Sequence, residues 1–160
     1  MVRPRFTLHP ARRAEDLRAV ADLFRRYAAS LPVDLGYQDF AAELEGLPGR
    51  YAPPGGTLLL ARGGARQPLG CVALRPMEEP GCAEMKRLFL LPEARGLGLG
   101  AALAQAAIAA ARQIGYREIR LDTLPGMAEA LGLYARLGFQ PIPPYYAPTP
   151  PGTVFLRLTL

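Results

Sequence analysis

The sequence contains few of the residues from which proteins build metal and redox sites. Its 160 residues include one histidine, His9, and two cysteines, Cys71 and Cys82, which lie in apolar stretches without CxxC spacing. A zinc site or a Ser-His-Asp triad would depend on His9 alone, and no partner lies near it in the sequence. We therefore predict no metal, and we expect both cysteines to be buried, reduced thiols.

Long apolar segments are also absent. No run approaches the roughly 18 residues that a membrane-spanning helix requires, and the segment MVRPRFTLHP at the start lacks the apolar core of a signal peptide. Apolar residues make up 50% of the chain and charged residues 21%, which is typical of a globular protein. These properties predict a single domain over residues 1–160, cytoplasmic and without a membrane partner.

Lysine is nearly absent. It occurs once, at Lys86, so arginine supplies the other 18 of the 19 basic residues, and the net charge is +5. Acidic residues share the arginine-rich N-terminal segment, so we expect a solvated helix face there and no nucleic-acid partner. The positive balance is compatible with an anionic small ligand. The seven arginines of that segment are Arg3, Arg5, Arg12, Arg13, Arg18, Arg25 and Arg26.

The spacing of apolar residues predicts an alternation of strands and helices. TLLLAR and PLGCVALRP form a predicted β-hairpin, and the helix after it is rich in alanine. This order predicts an α+β protein with helices on both faces of one sheet. The predicted strands are 5–9, 57–62, 68–76, 82–91, 117–123 and two more at the C-terminal end; the predicted helices are 14–31, 38–47, 98–114 and 127–137.

Two of these elements carry more detailed expectations. In strand 82–91, polar side chains are expected on both faces, and one face is expected to open on something other than core. The alternation places Glu84, Lys86 and Leu88 on one face and Met85, Arg87 and Phe89 on the other. In helix 98–114, the predicted buried ridge is Leu99, Leu103, Ala107, Ala110 and Ile114, and Gly115 is the predicted left-handed cap.

Three glycines stand at alternate positions in RGLGLGAAL, residues 95–103, where this helix begins. Glycine in a helix costs about 1 kcal/mol relative to alanine, so the spacing indicates a need for bare backbone. A strand, a glycine-rich turn and a helix N-terminus together form an anion-binding cradle, because free N–H groups and the helix dipole point at the ligand. We predict that the glycines clear space for phosphate oxygens.

Three phosphate motifs compete for this segment. A P-loop requires GK[ST], and no lysine follows, so it is excluded. The dinucleotide pattern GxGxxA fits Gly96, Gly98 and Ala101, and Glu118 or Asp122 follows some twenty residues later. That pattern normally opens a parallel βαβ domain, whereas a predicted antiparallel hairpin precedes it here. The pattern [RQ]xxGx[GA] fits residues 95–100, and MAEALGLYARLGF, residues 127–139, adds a YxxLGF ending.

This last combination resembles the coenzyme A pyrophosphate motif and fourth helix of the GNAT superfamily of N-acetyltransferases, and the resemblance covers nearly the whole chain. It implies an α/β/α-layered fold with a mixed, largely antiparallel sheet of about seven strands. It also implies acetyl transfer from acetyl-CoA to a primary amine of a small molecule or peptide, by direct attack in a ternary complex. The resemblance is also compatible with a homodimer. A non-catalytic acyl-CoA-binding sensor is the alternative, followed by a dinucleotide-binding domain.

The resemblance assigns acetyl-CoA to the end of the fourth strand, the glycine loop and the fifth strand. A bulge near residues 88–90 is expected to provide a backbone donor for the oxyanion. Many relatives carry an asparagine early in the fourth helix where this chain has Met127, and Thr123 is the candidate replacement. The implied coenzyme residues are Leu88, Phe89, Leu90, Arg95, Gly96, Leu97, Gly98, Leu99, Gly100, Ala101 and Thr123.

Two residues are implied as catalytic. Glu84, eleven residues before Arg95, resembles a glutamate that acts as a base through a water; the alternatives are an ion pair with Lys86 or Arg120, or contact with a cationic substrate. Tyr134 matches the family tyrosine that protonates the departing thiolate, and the alternative is a buried core aromatic.

Five further residues are candidates for binding the acceptor amine. Lys86 and Arg87 are suited to an acceptor carboxylate or a CoA phosphate, and the alternative is ordinary strand surface. Tyr37, Tyr145 and Tyr146 are expected to line the acceptor cleft, because the first helical pair and the last hairpin form that cleft in the resembling fold. Loop packing is the alternative for these three.

Overall fold

The computed structural model describes residues 5–160, and within them it forms seven strands and four helices. Arg3, one of the seven N-terminal arginines, lies outside the described residues. The strands are β1 (Thr7–Pro10), β2 (Thr57–Arg62), β3 (Pro68–Pro76), β4 (Cys82–Leu90), β5 (Glu118–Thr123), β6 (Gln140–Pro141) and β7 (Val154–Thr159). The helices are α1 (Ala14–Ser30), α2 (Phe40–Glu45), α3 (Leu99–Ile114) and α4 (Ala128–Arg136).

The predicted elements are all present, with small changes at their ends. Helix α1 stops at Ser30 because Leu31 precedes Pro32 and takes an extended conformation, with φ −85° and ψ 149°. Helix α2 is shorter than predicted, and the 3₁₀ turn Leu35–Gln38 precedes it. Helix α3 ends at Gly115 in the left-handed conformation, φ 109°, as predicted.

The seven strands form one mixed sheet in the order β1-β2-β3-β4-β5-β7-β6. Every neighbouring pair is antiparallel except β4 and β5, which are parallel and are connected through α3. The expected α+β fold, with a largely antiparallel sheet of seven strands, is therefore confirmed.

The side chains of the sheet alternate between two hydrophobic cores. Leu58 and Leu60 of β2 pack with Phe24 of α1, while Leu59 packs with Leu103 of α3 on the opposite face. Helices therefore cover both faces of the sheet, as predicted. The predicted buried ridge of α3 is correct at Leu99, Leu103 and Ala107. The other buried residues of the helix are Ala104, Ile108 and Ala111. The prediction is wrong at its last two positions, because Ile114 is 40% exposed and Ala110 is half-buried. The reason is that the helix lies on the sheet along an i+4 row, which drifts around the helix by about 40° per step.

Strands β4 and β5 separate in the middle of the sheet. Their pairing covers only Cys82–Glu84 and Glu118–Arg120, after which β4 continues to Leu90 and β5 to Thr123 without pairing. Unpaired strands inside a sheet expose backbone N–H and C=O groups that need partners. A cleft therefore opens between the C-terminal halves of these two strands.

A bulge in β4 lies beside this cleft. Ala73 pairs with Lys86 and Cys71 with Phe89, so two residues of β4 oppose the single residue between them on β3. Arg87 occupies the bulge in the left-handed region, with φ 60°. The predicted bulge is present, one residue earlier than the predicted position.

The bulge changes which side chains share a face, so the predicted alternation of β4 is wrong beyond Lys86. Phe89 joins the core beneath α1, whereas Leu88 packs against the core beneath α3. The Arg87 guanidinium lies over the ring of Tyr27 on α1, at 6.0 Å from its centroid. Lys86 and Arg87 therefore both extend towards α1 instead of leaving the strand on opposite sides.

An ion pair ties α1 to the sheet at some distance from the cleft. The Asp16 carboxylate is 5% exposed and accepts a hydrogen bond of 2.8 Å from Arg62 of β2. This bond outweighs the effect of burial and, with the nearby His9 ring, lowers the pKa of Asp16 to about 2. Because the pKa is lower in the folded chain, the stabilisation is complete above about pH 4 and is lost as the pH falls towards 2.

We expect Asp16→Asn to lower the melting temperature at pH 7, and we expect this difference from the parent to shrink steadily between pH 5 and pH 2.5. Thermal unfolding followed by circular dichroism at a series of pH values measures it. Asp22→Asn is the matched control, because Asp22 pairs with Arg26 on the exposed face of the same helix and such pairs contribute little. A deficit for Asp16→Asn that stays constant with pH would contradict the assignment.

Candidate active site

The glycine loop presents bare backbone at the start of α3. Gly96 and Gly98 have φ values of 79° and 78°, and a Cβ built on either would meet no atom within 4 Å. The first intrahelical bond runs from the Ala102 N–H to the Gly98 carbonyl, so the three preceding N–H groups, those of residues 99–101, have no partner within the helix. The loop therefore has the geometry of an anion cradle.

The other residues of this loop contribute in different ways. Arg95 is exposed and free to reach an anion, whereas the Leu99 side chain is fully buried in the core, so that only its backbone is available. Gly100 has an ordinary helical conformation, and a Cβ there would lie 3.5 Å from Leu90. Gly96 and Gly98 are thus required by their backbone angles, and Gly100 is not.

The free edge of β4 continues from this loop towards the bulge. The Leu91 N–H donates to the Leu69 carbonyl of the neighbouring chain segment, so by alternation the Leu90 N–H points away from β3, into the cleft beside β5. The Phe89 side chain packs against Tyr27, with ring centroids 5.9 Å apart. Leu90 therefore offers a backbone N–H to a ligand, while the Phe89 side chain is occupied in the core beneath α1.

Tyr134 is buried at the α4 side of the cleft. Its ring is 7% exposed and packs against Phe139, with centroids 5.5 Å apart. Burial raises the pKa of its phenol, and the charges of Tyr27 and Asp122 raise it further. The ring packs in the core and the raised pKa keeps the hydroxyl protonated. Core packing and protonation of the thiolate, the two roles predicted for Tyr134, are therefore compatible.

Thr123, at the end of β5, lies next to the position where relatives carry the asparagine. Its hydroxyl lies 3.7 Å from the sulfur of Met127 and is otherwise buried. This contact links Thr123, the candidate replacement, to the position where the asparagine is missing.

Glu84 is buried and fully engaged by its neighbours. One carboxylate oxygen accepts from the Arg75 guanidinium at 2.8 and 2.9 Å, and the other accepts from the Tyr145 hydroxyl at 2.7 Å. Burial alone would raise the pKa of Glu84, but the charges of Lys86 and Arg75 and the two hydrogen bonds outweigh it, so the pKa is lowered.

The ion-pair partner of Glu84 differs from both predicted alternatives. Arg75 lies directly opposite Glu84 in the β3–β4 register, while Arg120, its neighbour on β5, pairs with Glu118 and Glu79 instead. The predicted pairing with Lys86 or Arg120 is therefore wrong.

Arg87 holds α2 against the bulge. Its guanidinium makes two hydrogen bonds of 2.9 Å to the Glu43 carboxylate and one of 2.7 Å to Gln38, and it lies over the rings of Tyr27 and Phe40. The side chain is 5% exposed. Its charge is thus already neutralised within the protein, which favours a structural role over the predicted binding of a substrate carboxylate.

Gln38 is the central residue of a polar network that the sequence did not reveal. Its amide nitrogen donates to the hydroxyls of Tyr37 and Tyr146 and to the Asp122 carboxylate, at 2.9 to 3.2 Å. Its amide oxygen accepts from Lys86 at 3.2 Å and from Arg87. The network brings the predicted acceptor residues of three separate segments together.

Tyr146 joins this network from the loop before β7, and Tyr145 beside it donates to Glu84. Both rings pack edge-on against Phe155, and the Tyr146 hydroxyl donates to the Asp122 carboxylate at 2.5 Å. A pocket beside them is enclosed by α1, the 3₁₀ turn and the ends of β4 and β5. Its lining is Tyr27, Leu31, Leu35, Tyr37, Gln38, Lys86, Arg87, Asp122, Thr123 and Leu124.

Comparison with known proteins agrees with this geometry. The profile of the Acetyltransferase (GNAT) family matches residues 17–139. An uncharacterized N-acetyltransferase of Schizosaccharomyces pombe, C1271.07c, is 39% identical over 91% of this chain and 90% of its own length. Another, YjgM of Escherichia coli, is 30% identical over 80% of this chain and 78% of its own length.

Solved structures show the same fold. A GNAT-family acetyltransferase from Staphylococcus aureus superimposes with a TM-score of 0.78 at 18% identity, covering 96% of this chain and 98% of the other. An acetyltransferase from Streptococcus agalactiae gives a TM-score of 0.77 at 21% identity, covering 98% and 99%. The chain belongs to the GNAT family of acetyltransferases, and it is therefore an acyltransferase. Membership of this family implies an acyl-CoA co-substrate and an amine acceptor.

The glycine loop fits the pyrophosphate of an acyl-CoA, because Gly96 and Gly98 leave space that a Cβ would fill and the N–H groups that follow are free. Family membership excludes the dinucleotide alternative. Within residues 5–160, no helix combines the length and apolarity needed to cross a lipid bilayer. The same stretch contains no group of three or more His, Cys, Asp or Glu side chains arranged to hold a metal ion.

Proposed function

We propose that the protein transfers an acetyl group from acetyl-CoA to a primary amine of a small molecule or peptide, by direct attack in a ternary complex. One observation carries the proposal: the cleft between β4 and β5 has the glycine loop at one end and the polar pocket around Gln38 at the other. A thioester bound along the free edge of β4 would meet an amine held in that pocket.

The donor would be held by backbone groups. The first turn of α3 would bind the pyrophosphate, and the free Leu90 N–H would pair with the pantetheine arm as a neighbouring strand does. The bound coenzyme supplies an activated acetyl thioester. The backbone next to the Arg87 bulge would donate a hydrogen bond to the carbonyl oxygen, where negative charge develops.

The transfer forms one C–N bond and breaks one C–S bond. The acceptor ammonium loses one proton before attack and a second after it, and the departing thiolate takes up one proton, so one proton is released to solvent for each turnover. We propose that Tyr134 donates the proton to sulfur, since burial raises the pKa of its phenol and keeps it protonated at neutral pH.

The contacts of Glu84 favour a positioning role over a base role. A carboxylate with a lowered pKa that is already paired with Arg75 is a weak acceptor for the proton of an ammonium. Through its bond from the Tyr145 hydroxyl, Glu84 instead fixes the segment that carries Tyr145 and Tyr146 beside the pocket.

Glu84→Gln tests this assignment. We expect kcat/KM to fall by a similar factor at pH 7 and pH 9, because a positioning role does not depend on the protonation state of the acceptor. Glu79→Gln is the matched control, since the Glu79 side chain is 58% exposed and, among residues 5–160, its carboxylate pairs only with Arg120. A deficit that is large at pH 7 and disappears by pH 9, where more free amine is present, would restore the base role.

Thiol detection tests the proposed function itself. Mixing the protein with acetyl-CoA and a panel of amines, amino acids and peptides should release CoA only when a suitable acceptor is present. Binding of acetyl-CoA without thiol release by any acceptor would support the sensor alternative.

We also propose a cytoplasmic location, in keeping with two cysteines that are both free and buried. A homodimer remains a prediction, which light scattering would test.

A further inference from the structure

Lys86 is a buried cation without a carboxylate partner. Its side chain is 6% exposed, and its ammonium makes one hydrogen bond, of 3.2 Å, to the neutral amide oxygen of Gln38. Among residues 5–160, no carboxylate oxygen lies within 4.0 Å of it. A lysine ammonium has three donors, and the Gln38 oxygen uses one of them, so two donors remain for a ligand.

The other two cations near this pocket differ from Lys86. Arg87 is paired with Glu43 through two hydrogen bonds, and Arg75 is paired with Glu84. Glu84 makes no hydrogen bond to Lys86, since its two carboxylate oxygens accept from Arg75 and Tyr145. Lys86 is one of the residues that line the pocket.

Asp122 provides the opposite charge across the cleft. Lys86 and Asp122 each lie two residues beyond the last β4–β5 pair, Glu84 and Arg120, and both line the pocket. One oxygen of Asp122 accepts from Tyr146 and Gln38, while the other accepts no hydrogen bond from the described residues. The pocket thus presents a cation on one strand and a partly free carboxylate on the other.

From this juxtaposition we infer that the acceptor is an amino acid-type substrate, a primary amine that also carries a carboxylate. Lys86 binds the acceptor carboxylate and Asp122 binds its ammonium, which places the nitrogen at the cleft where the thioester would lie. The rings of Tyr27 and Tyr37 form the wall beside them. This inference rests on the proposed acetyl transfer and specifies its substrate class.

The parent protein provides the first test without any substitution. Each of several amino acids is compared with its primary amide, which keeps the amine and removes the negative charge. A charge-assisted hydrogen bond is stronger than a neutral one, so we expect KM for the acid to be about tenfold or more below KM for the amide. Equal KM values, or a preference for the amides, would overturn the inference.

Lys86→Met provides the second test. We expect it to raise KM for the amino acids about tenfold or more while changing KM for the amides little, and we expect Lys86→Arg to restore part of the loss. Arg112→Met removes one positive charge from an exposed position on α3 and should change neither KM. Equal losses for acid and amide would assign Lys86 a structural role.

Calorimetry separates failure of this inference from failure of the proposed function. Amino acid binding to the protein–CoA complex is measured without turnover, in the parent and in Lys86→Met. One outcome is that no amine is acetylated, while amino acids bind to the parent and not to Lys86→Met. This outcome would support the inferred ligand class and contradict the proposed transfer reaction. If acids and amides are acetylated equally well, the transfer stands and the substrate class fails.

Discussion

Gly98→Val should abolish most of the affinity for acetyl-CoA. Gly98 has φ 78° directly before the first turn of α3, and a side chain there would project into open space in front of the free N–H groups. Charge-assisted hydrogen bonds contribute about 1.5–3 kcal/mol each, so blocking one or two of them should raise Kd about tenfold to a hundredfold or more. Isothermal titration with acetyl-CoA measures the change.

Gly115→Val is the control for backbone strain. Gly115 has φ 109° at the opposite end of the same helix, and a Cβ there also meets nothing within 4 Å. Both substitutions place a β-branched residue in the left-handed region, which costs about 1–2 kcal/mol, so both should lower the melting temperature similarly. Only Gly98→Val should lose coenzyme affinity. Normal binding by a folded Gly98→Val variant would rule out the cradle.

Tyr134→Phe should lower kcat at least tenfold with little change in acetyl-CoA affinity. General acid catalysis contributes about two to four powers of ten, and this substitution removes the proton while keeping the ring that packs on Phe139. Because burial raises the pKa of Tyr134, the parent should show no loss of kcat from ionisation of this phenol between pH 7 and pH 9. Steady-state kinetics over that pH range measures both effects.

Tyr116→Phe is the matched deletion of a hydroxyl outside the site. The Tyr116 hydroxyl donates to the Gly55 carbonyl at 2.6 Å, so its loss should cost about 1 kcal/mol of stability without changing kcat. If Tyr134→Phe retains full turnover, or if it loses stability and coenzyme affinity together, Tyr134 is a core aromatic and not the acid.

The parts of the fold that depend on local pattern could be predicted from the sequence. The helices follow from apolar spacing and from Pro32 and Gly115 as stops, and the glycine loop follows from three residues that are unfavourable in a helix unless bare backbone is needed. The position of Tyr134 follows from its place in a short motif. None of these depends on knowing which strands are neighbours.

The contacts that depend on strand register could not be predicted. Arg75 pairs with Glu84 because the β3–β4 register sets them opposite each other, and the bulge at Arg87 arises from the same register. The bulge then brings Lys86 and Arg87 to one face, which strict alternation would separate. The sequence singles out Asp122 only as an acidic residue of the dinucleotide pattern, and Gln38 lies in a turn where no spacing rule applies.

The single lysine of the chain allows the pocket to be labelled at one side chain. Lys86 is the only side-chain amine in the sequence, and it is nearly excluded from solvent. Amine-reactive labels can therefore modify only one internal site, and they can do so only when the pocket opens. A carboxylate bound to the ammonium would slow that labelling, so mass spectrometry of the peptide that contains Lys86 would report occupancy of the pocket. The same mass measurement would show whether the protein acetylates its own acceptor pocket.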